Sequence, residues 1–343
     1  MGNTILPWDS AVSLSGGRYI NAADLLIGRD AVRGMRAVGF AAAESDADYD
    51  RFRNFLSAVP FMEGHRSVTA ASAILDTVCG MKLNNDPDEI WEECGLALSR
   101  SRIDRPGLAS LLGFRDIFAR VRPGEAVPEQ DNIRIRIHPV YDLGRVDGGL
   151  FASGSLDAFS EYTDGALAEL CVRGGRAVRI SLGDYSFDRN SRKREIDCIA
   201  KNLADGKPVT AGERNQLLTA VMICLSAAAK KHGMRLITET DSISALSDLY
   251  AYLGMNGIIP ESVIVTRYSD ELAGFIGEFG FSTGDGKPGI AAALHDPSAA
   301  AEAIPLGCVL VRTDCAVDIQ GLAALPQSDR FPSCGTAALR IFL

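Results

Sequence analysis

The order of apolar segments in the second part of the chain constrains its fold more than any other feature. From about residue 114, short strand-like runs alternate with longer segments whose apolar residues recur at helical spacing. The runs AVRISLGD, MRLITET, SVIVTRY, GIAAALH and CVLVRTD lie at residues 177–184, 234–240, 262–268, 289–295 and 308–314. Such alternation predicts a parallel sheet whose strands are joined by helical crossovers.

The first third of the chain has a different pattern. Residues 8–14 (WDSAVSL) indicate one strand, and residues 21–113 then carry helical patterns. Together with the strand-like runs at 115–123 and 132–140, the chain offers eight strand candidates. That number favours an α/β fold of the distorted (β/α)8 TIM-barrel type over an open doubly wound sheet.

The pattern also predicts how the barrel is divided along the chain. We expect the first barrel strand within residues 1–20 and a helical insertion after it over 21–113. Residues 114–343 are expected to form the remainder of the barrel, with shortened C-terminal helices.

Charge and motif content exclude several classes of function. The formal net charge is −9 and the pI is about 5.1, which disfavours binding to nucleic acid or to an anionic membrane surface. The sequence has no apolar run of bilayer-spanning length and no signal-peptide pattern at its start, so we expect a cytoplasmic location. No glycine-rich phosphate-binding motif follows a strand, so nucleotide binding gains no support.

Histidine and cysteine give little support to a metal site. The four histidines are far apart in sequence, and the eight cysteines form no C-x-x-C pair or zinc template. Several cysteines, such as Cys224, lie in apolar runs. The cysteines are therefore predicted to be buried free thiols.

Four short motifs occur in an order that is typical of one family. They are RGMR at residues 33–36, WEEC at 91–94, the segment EIDCIAKNLADG…MRLITET at 195–240, and DSI at 241–243 followed by SALSDLYAYLGMNGIIPESVIV. In this order the chain resembles the uronate isomerases of the amidohydrolase superfamily. The resemblance runs from about residue 5 to residue 343.

The resemblance implies a distorted (β/α)8 barrel with its site at the C-terminal ends of the strands. It implies an intramolecular oxidoreductase, an aldose–ketose isomerase that converts hexuronates such as glucuronate or galacturonate. Family members hold a divalent metal, commonly zinc, and the proton transfer between C2 and C1 needs a positioned base and a polarised carbonyl.

This chain departs from the family at most of the site motifs. Ala11 and Ser13 stand where the first strand of the family carries two metal-binding histidines, and neither can replace an imidazole. No cofactor is therefore expected. The family motifs S-D-H and H-I-G-A fall near residues 179–181 and on 237–240, which lack those side chains. Asp314 matches the metal-binding and acid/base aspartate of the family, while Ala316 replaces its sugar-binding arginine.

Five residues remain as site predictions. Asp314 is the catalytic candidate, and the substrate-binding candidates are Arg33, Arg36, His138 and Asp270. A structural role competes in each case, since a strand-end Asp can cap a turn and a helical Arg can pair with nearby acids. No metal ligand is predicted.

Two hypotheses for function follow. In the first, the chain is a uronate isomerase homologue without metal or family catalysis. It would then bind a sugar acid or act as a regulatory partner, in a homo-oligomer or with a related subunit. In the second, it is an enzyme with an altered site, in which Asp314, Asp270, Glu239 and His138 act as acids, bases or weak ligands of magnesium or manganese. Glu239 and Asp241 could also act as paired carboxylates.

Overall fold

The fold was analysed in a computed structural model. It describes residues 17–40, 47–113, 116–126, 136–151, 154–189, 192–280, 289–294 and 309–311. The predicted first strand at 8–14, the positions of Ala11 and Ser13, and the catalytic candidate Asp314 lie outside these ranges.

The described residues form two compact units. The first contains the residues up to Arg120 together with 136–137, and the second contains 121–126 and those from His138 onward. Each unit has its own cluster of buried apolar side chains.

The first unit is mainly helical, as the sequence pattern predicts. Its helices are α1 (Ala22–Leu26), α2 (Arg29–Ala37), α3 (Asp48–Ala58), α4 (Arg66–Cys79), α5 (Pro87–Ser101) and α6 (Arg105–Leu111). The helical pattern over residues 22–37 is divided into α1 and α2, because Gly28 has an extended backbone and begins α2 as its N-cap. Side-chain caps fix other starts, such as Asp86, which accepts hydrogen bonds from the first-turn amides of α5.

Aromatic and aliphatic side chains fill the core of the first unit. Phe52, Phe55 and Ile90 are fully buried. The ring of Trp91 on α5 lies 5.5 Å from that of Phe52 and 5.1 Å from that of Tyr49, so α3 and α5 pack through aromatic contacts.

A seven-stranded sheet follows the helical segment. Its strands are β1 (Asp116–Val121), β2 (Arg136–Arg145), β3 (Ala177–Gly183), β4 (Arg235–Thr240), β5 (Ser262–Val265), β6 (Ile290–Leu294) and β7 (Val309–Val311). They lie side by side in chain order, and each neighbouring pair from β2 to β7 is parallel. The predicted α/β fold with a parallel sheet is confirmed. Within the described part of the chain the sheet runs linearly from β1 to β7, so its closure into a barrel stays a prediction.

Helical crossovers separate the strands from β2 to β6. They are α7 (Leu156–Val172), α8 (Lys193–Ala204), α9 (Ala211–Lys231), α10 (Ile243–Met255) and α11 (Asp270–Phe279). Among the described helices, none combines the length and the apolar character needed to cross a bilayer.

The start of α8 is basic, since Lys193 and Arg194 form its first turn. The helix begins here because the Arg192 amide donates to Glu195 Oε2 at 2.9 Å, which satisfies an amide at the helix start.

The prediction of buried cysteines is only partly right. Of the five described cysteines, Cys94 is buried, Cys79 and Cys224 are half-buried, and Cys171 and Cys198 are exposed. Cys171 and Cys198 lie on the solvent-facing sides of α7 and α8, so apolar neighbours in sequence did not determine their burial.

The two faces of the sheet carry different side chains. Val178, Ile180 and Leu236 belong to the apolar cluster shared with the crossover helices, and we call this side the helix face. Alternate residues of the same strands, such as Arg179 and Glu239, lie on the opposite face because successive side chains in a strand point to opposite sides.

Two leucines on α5 provide a matched test of the first core. Leu98 is 3% exposed and Leu96 is 45% exposed. We expect Leu98→Ala to lower the free energy of unfolding by about 3 kcal/mol through lost burial and a cavity. Leu96→Ala should lower it by less than about 0.5 kcal/mol. Denaturant unfolding measures both, and equal losses would contradict the packing described.

Candidate functional site

Polar side chains gather at the carboxyl ends of β2, β3 and β4. The Cα atoms of Asp142 and Arg179 are register partners on β2 and β3. Two residues further along β3, Ser181 is the register partner of both Arg145 on β2 and Glu239 on β4. We call these five residues the strand-end site. These residues belong to adjacent parallel strands, and the carboxyl ends of parallel strands lie at the same edge of a sheet.

An ion pair forms the centre of the strand-end site. Arg179 Nη2 donates to Glu239 Oε2 at 2.9 Å. The side chains are 18% and 31% exposed, so both charges are partly shielded from water and still reachable from it. The register partner of Arg179 on β4 is Ile237, so the guanidinium extends toward the carboxyl end to reach Glu239.

The neighbouring strands continue these two rows with apolar side chains. At the level of Arg179, the register partners on β4, β5 and β6 are Ile237, Val263 and Ala291. At the level of Glu239, the partners on β5 and β6 are Val265 and Ala293. All of these apolar residues are buried. The charged groups of the strand-end site therefore lie on β2–β4, beside buried apolar side chains that lower the local dielectric constant and strengthen their electrostatic interactions.

The sequence Asp-Leu-Gly-Arg at the end of β2 explains the position of Arg145. Asp142 is buried, and one of its carboxylate oxygens accepts a hydrogen bond of 2.9 Å from the Gly144 amide. Gly144 has a φ of +60°, which favours glycine, and the register of β2 shifts by one residue at this point. The shift makes Arg145 the partner of Ser181, with its side chain exposed at the open end of the strands.

A second small network holds the ends of β3 and β4 together. The Thr240 hydroxyl donates to the Gly183 carbonyl at 3.3 Å and accepts a hydrogen bond of 3.0 Å from the Ser242 amide. Asp241 lies between these residues, in an exposed bend after β4. Glu239 thus belongs to the sheet while Asp241 belongs to the turn that follows it.

The predicted substrate-binding arginines lie in the first unit. Arg33 and Arg36 are on the exposed side of α2. Arg33 Nη1 is 3.9 Å from the Asp30 carboxylate, three residues earlier on the same helix. This contact agrees with the alternative in which a helical arginine pairs with a nearby acid.

The other two predicted binding residues lie in the second unit. His138 is the third residue of β2, which continues to Arg145, so it is near the amino end of the strand rather than at its carboxyl end. Asp270 is exposed at the first position of α11, where Ser269 caps the helix and an acidic side chain interacts favourably with the helix dipole.

Four residues of the strand-end site were not predicted from the sequence: Asp142, Arg145, Arg179 and Ser181. A usable signal was present for Arg179, because it is a charged residue at an alternating position of the otherwise apolar run AVRISLG. Its partner Glu239 was identified as a candidate, but the distance along the chain concealed their contact.

The described residues do not fit the zinc site that the resemblance implies. Among them, no group of three or more His, Cys, Asp or Glu side chains is arranged to hold a metal ion. Ile237 stands at the histidine of the family motif and is fully buried. Glu239 is bound by a guanidinium, whose positive charge opposes a cation at the same carboxylate.

Comparison with known proteins supports the fold. No family model and no curated protein matches the chain. Among solved structures, the uronate isomerase of Thermotoga maritima matches 92% of this chain and 83% of its own, with a TM-score of 0.71 and 11% sequence identity. The chain therefore has a fold similar to that of a uronate isomerase. At this identity the similarity concerns the fold.

The ion pair of the strand-end site can be tested with a double-mutant cycle. We expect Arg179→Met and Glu239→Gln to show a coupling energy of about 1 kcal/mol, because both side chains are partly buried. Glu169 on α7 and Arg173, the residue that caps the end of α7, form a control pair at 3.0 Å, with side chains 62% and 47% exposed. Their coupling should stay below about 0.5 kcal/mol. Equal coupling in the two cycles would contradict the shielding of the Arg179–Glu239 pair.

Proposed function

We propose that this protein is a diverged uronate isomerase homologue that binds a sugar acid at the strand-end site without a metal ion. The observation that carries the proposal is the Arg179–Glu239 ion pair. Glu239 is the second-last residue of β4, and the Arg179 guanidinium extends from the third position of β3 to reach it, so the ion pair lies toward the carboxyl ends of the strands, where ligands bind in folds of this class. Arg179 also falls near the position at which the uronate isomerase family, which the sequence resembles, carries the motif S-D-H.

The residues of the site suit the two kinds of group in a sugar acid. A guanidinium presents several N–H donors in a planar fork that matches a carboxylate. The bond to Glu239 uses one donor of Arg179, so the guanidinium can bind Glu239 and a ligand carboxylate together. Arg145 adds a second positive charge at the same end of the strands.

The acidic and hydroxyl groups of the site complement sugar hydroxyls. The carboxylates of Asp142 and Glu239 accept hydrogen bonds, and Ser181 can both donate and accept. Neutral sugars offer the same hydroxyls without a carboxylate. The two arginines should therefore favour a sugar acid over the corresponding neutral sugar.

The proposal includes loss of the family reaction. Isomerisation between C2 and C1 needs a base and a group that polarises the carbonyl, and in the family a metal contributes to this chemistry. The replacements at Ala11, Ser13 and Ile237 remove imidazoles from the corresponding positions. We propose instead a ligand-binding or regulatory role in the cytoplasm. The chain would act in a homo-oligomer or together with a related subunit.

One observation favours a second candidate function, a metal-independent isomerase. Glu239 is a partly exposed carboxylate beside a guanidinium. Glu239 could accept the proton from C2 and return it to C1, while Arg179 stabilises the negative charge on the carbonyl oxygen. Both roles use groups already present at the strand ends.

Calorimetric titration with glucuronate and galacturonate, in the presence of a chelator, tests the binding proposal. We expect saturable binding that glucose does not reproduce. Arg179→Met should weaken it by about tenfold or more through loss of a charge-assisted bond. Arg179→Lys should recover part of the affinity, and Arg173→Met, at the exposed position that follows α7, should leave it unchanged. Equal binding by wild type and a folded Arg179→Met variant would contradict the proposal.

An isomerase assay separates the two candidate functions. The binding proposal predicts no turnover with added zinc or with a chelator. Turnover that persists in the chelator and is lost in Glu239→Gln would favour the metal-independent isomerase. Robust turnover that requires zinc would contradict both.

A further inference from the structure

Two cysteines of the first unit lie in direct contact, away from the strand-end site. Cys79 is the last residue of α4, and Cys94 lies in the middle of α5. Their Sγ atoms are 3.0 Å apart, and both are free thiols. The short connection at 80–86 returns the chain so that the two helices bring these sulfurs together.

The two thiols differ in exposure and in acidity. Cys94 is fully buried, whereas Cys79 is half-buried and borders on solvent. A hydrogen bond from the Cys94 thiol lowers the pKa of Cys79, against the opposing effects of burial and of Glu93. The same hydrogen bond, together with burial, raises the pKa of Cys94. Cys79 is therefore the better nucleophile and the one that a dissolved oxidant can reach.

We propose that Cys79 and Cys94 are an oxidisable dithiol, which hydrogen peroxide converts into a disulfide joining α4 to α5 and which a dithiol reductant restores by thiol–disulfide exchange. The contact between the sulfurs carries this inference. It is independent of the proposed sugar-acid function, since both cysteines belong to the helical unit.

The reaction takes place in two balanced steps. The Cys79 thiolate attacks one oxygen of the peroxide, so an S–O bond forms, the O–O bond breaks and hydroxide leaves to become water. The Cys94 thiol then loses its proton and attacks Cys79 Sγ, so the S–S bond forms and the sulfenic oxygen leaves as a second water. The two thiols lose two electrons in total, and the peroxide is reduced to two waters.

The disulfide would restrain two helices that build the first core. Ile74 and Leu75 on α4 and Ile90 and Leu98 on α5 are all buried in the same cluster. A cross-link between Cys79 and Cys94 closes the intervening loop in the unfolded chain and lowers its entropy. Oxidation should therefore raise the thermal stability of this unit.

Peroxide titration of the reduced full-length chain tests the proposal, with alkylation of the remaining thiols and peptide mapping. We expect a Cys79–Cys94 cross-linked peptide to form about tenfold faster than oxidation of Cys171 or Cys198. The midpoint of thermal unfolding should rise by several degrees and return on treatment with dithiothreitol. Cys171 and Cys198 are the internal controls because they are the more exposed thiols.

Single variants separate the roles of the two sulfurs. In Cys94→Ala, the sulfenic acid on Cys79 should persist long enough to be trapped by dimedone. In Cys79→Ser, Cys94 should remain reduced, because the oxidant cannot reach it. Oxidation of Cys171 and Cys198 while Cys79 and Cys94 still alkylate would overturn the proposal, and so would a cross-link that dithiothreitol cannot reduce in the folded protein.

Discussion

The separation of side chains between the two faces of the parallel sheet determines where this protein can hold polar groups. Residues of β3 and β4 alternate between the helix face, packed with apolar side chains, and the opposite face, where Arg179 meets Glu239. A charge on the helix face would enter the packed core and lose its hydration. On the opposite face, near the carboxyl ends of the strands, the same charges form an ion pair that solvent can still reach. On β3 and β4, the Arg179–Glu239 ion pair therefore lies on the face opposite the helix face, toward the carboxyl ends of the strands.

Local structure at the strand ends completes this arrangement. The shift of register at Gly144 makes Arg145, in place of Gly144, the partner of Ser181, at the level of Glu239. The Thr240 hydroxyl joins the ends of β3 and β4 behind the site. The first feature is a break in the regular pairing of β2, and the second lies at the end of β4. The site therefore depends on local structure near the ends of these strands.

Much of the fold could be predicted from the sequence, while most of the site could not. The periodicity between residues 177 and 294 identified four strands and three of the crossover helices, because apolar spacing reflects burial directly. The Arg179–Glu239 contact joins residues 60 positions apart, and local pattern carries no information on such pairs. The strand expected over residues 132–140 continues to Arg145 in the structure, so His138 lies near its amino end, and sequence pattern alone did not indicate this extension.

The fold is similar to that of a uronate isomerase. The central claim of the proposed function is that Arg179 holds a ligand carboxylate without a metal ion. A crystal structure of the protein with glucuronate or galacturonate, grown in a chelator, tests this most directly. The account predicts the sugar carboxylate within hydrogen-bond distance of the Arg179 guanidinium, at the carboxyl ends of β2–β4. A sugar acid bound elsewhere, with Arg179 still paired to Glu239 and in contact with no ligand atom, would contradict it.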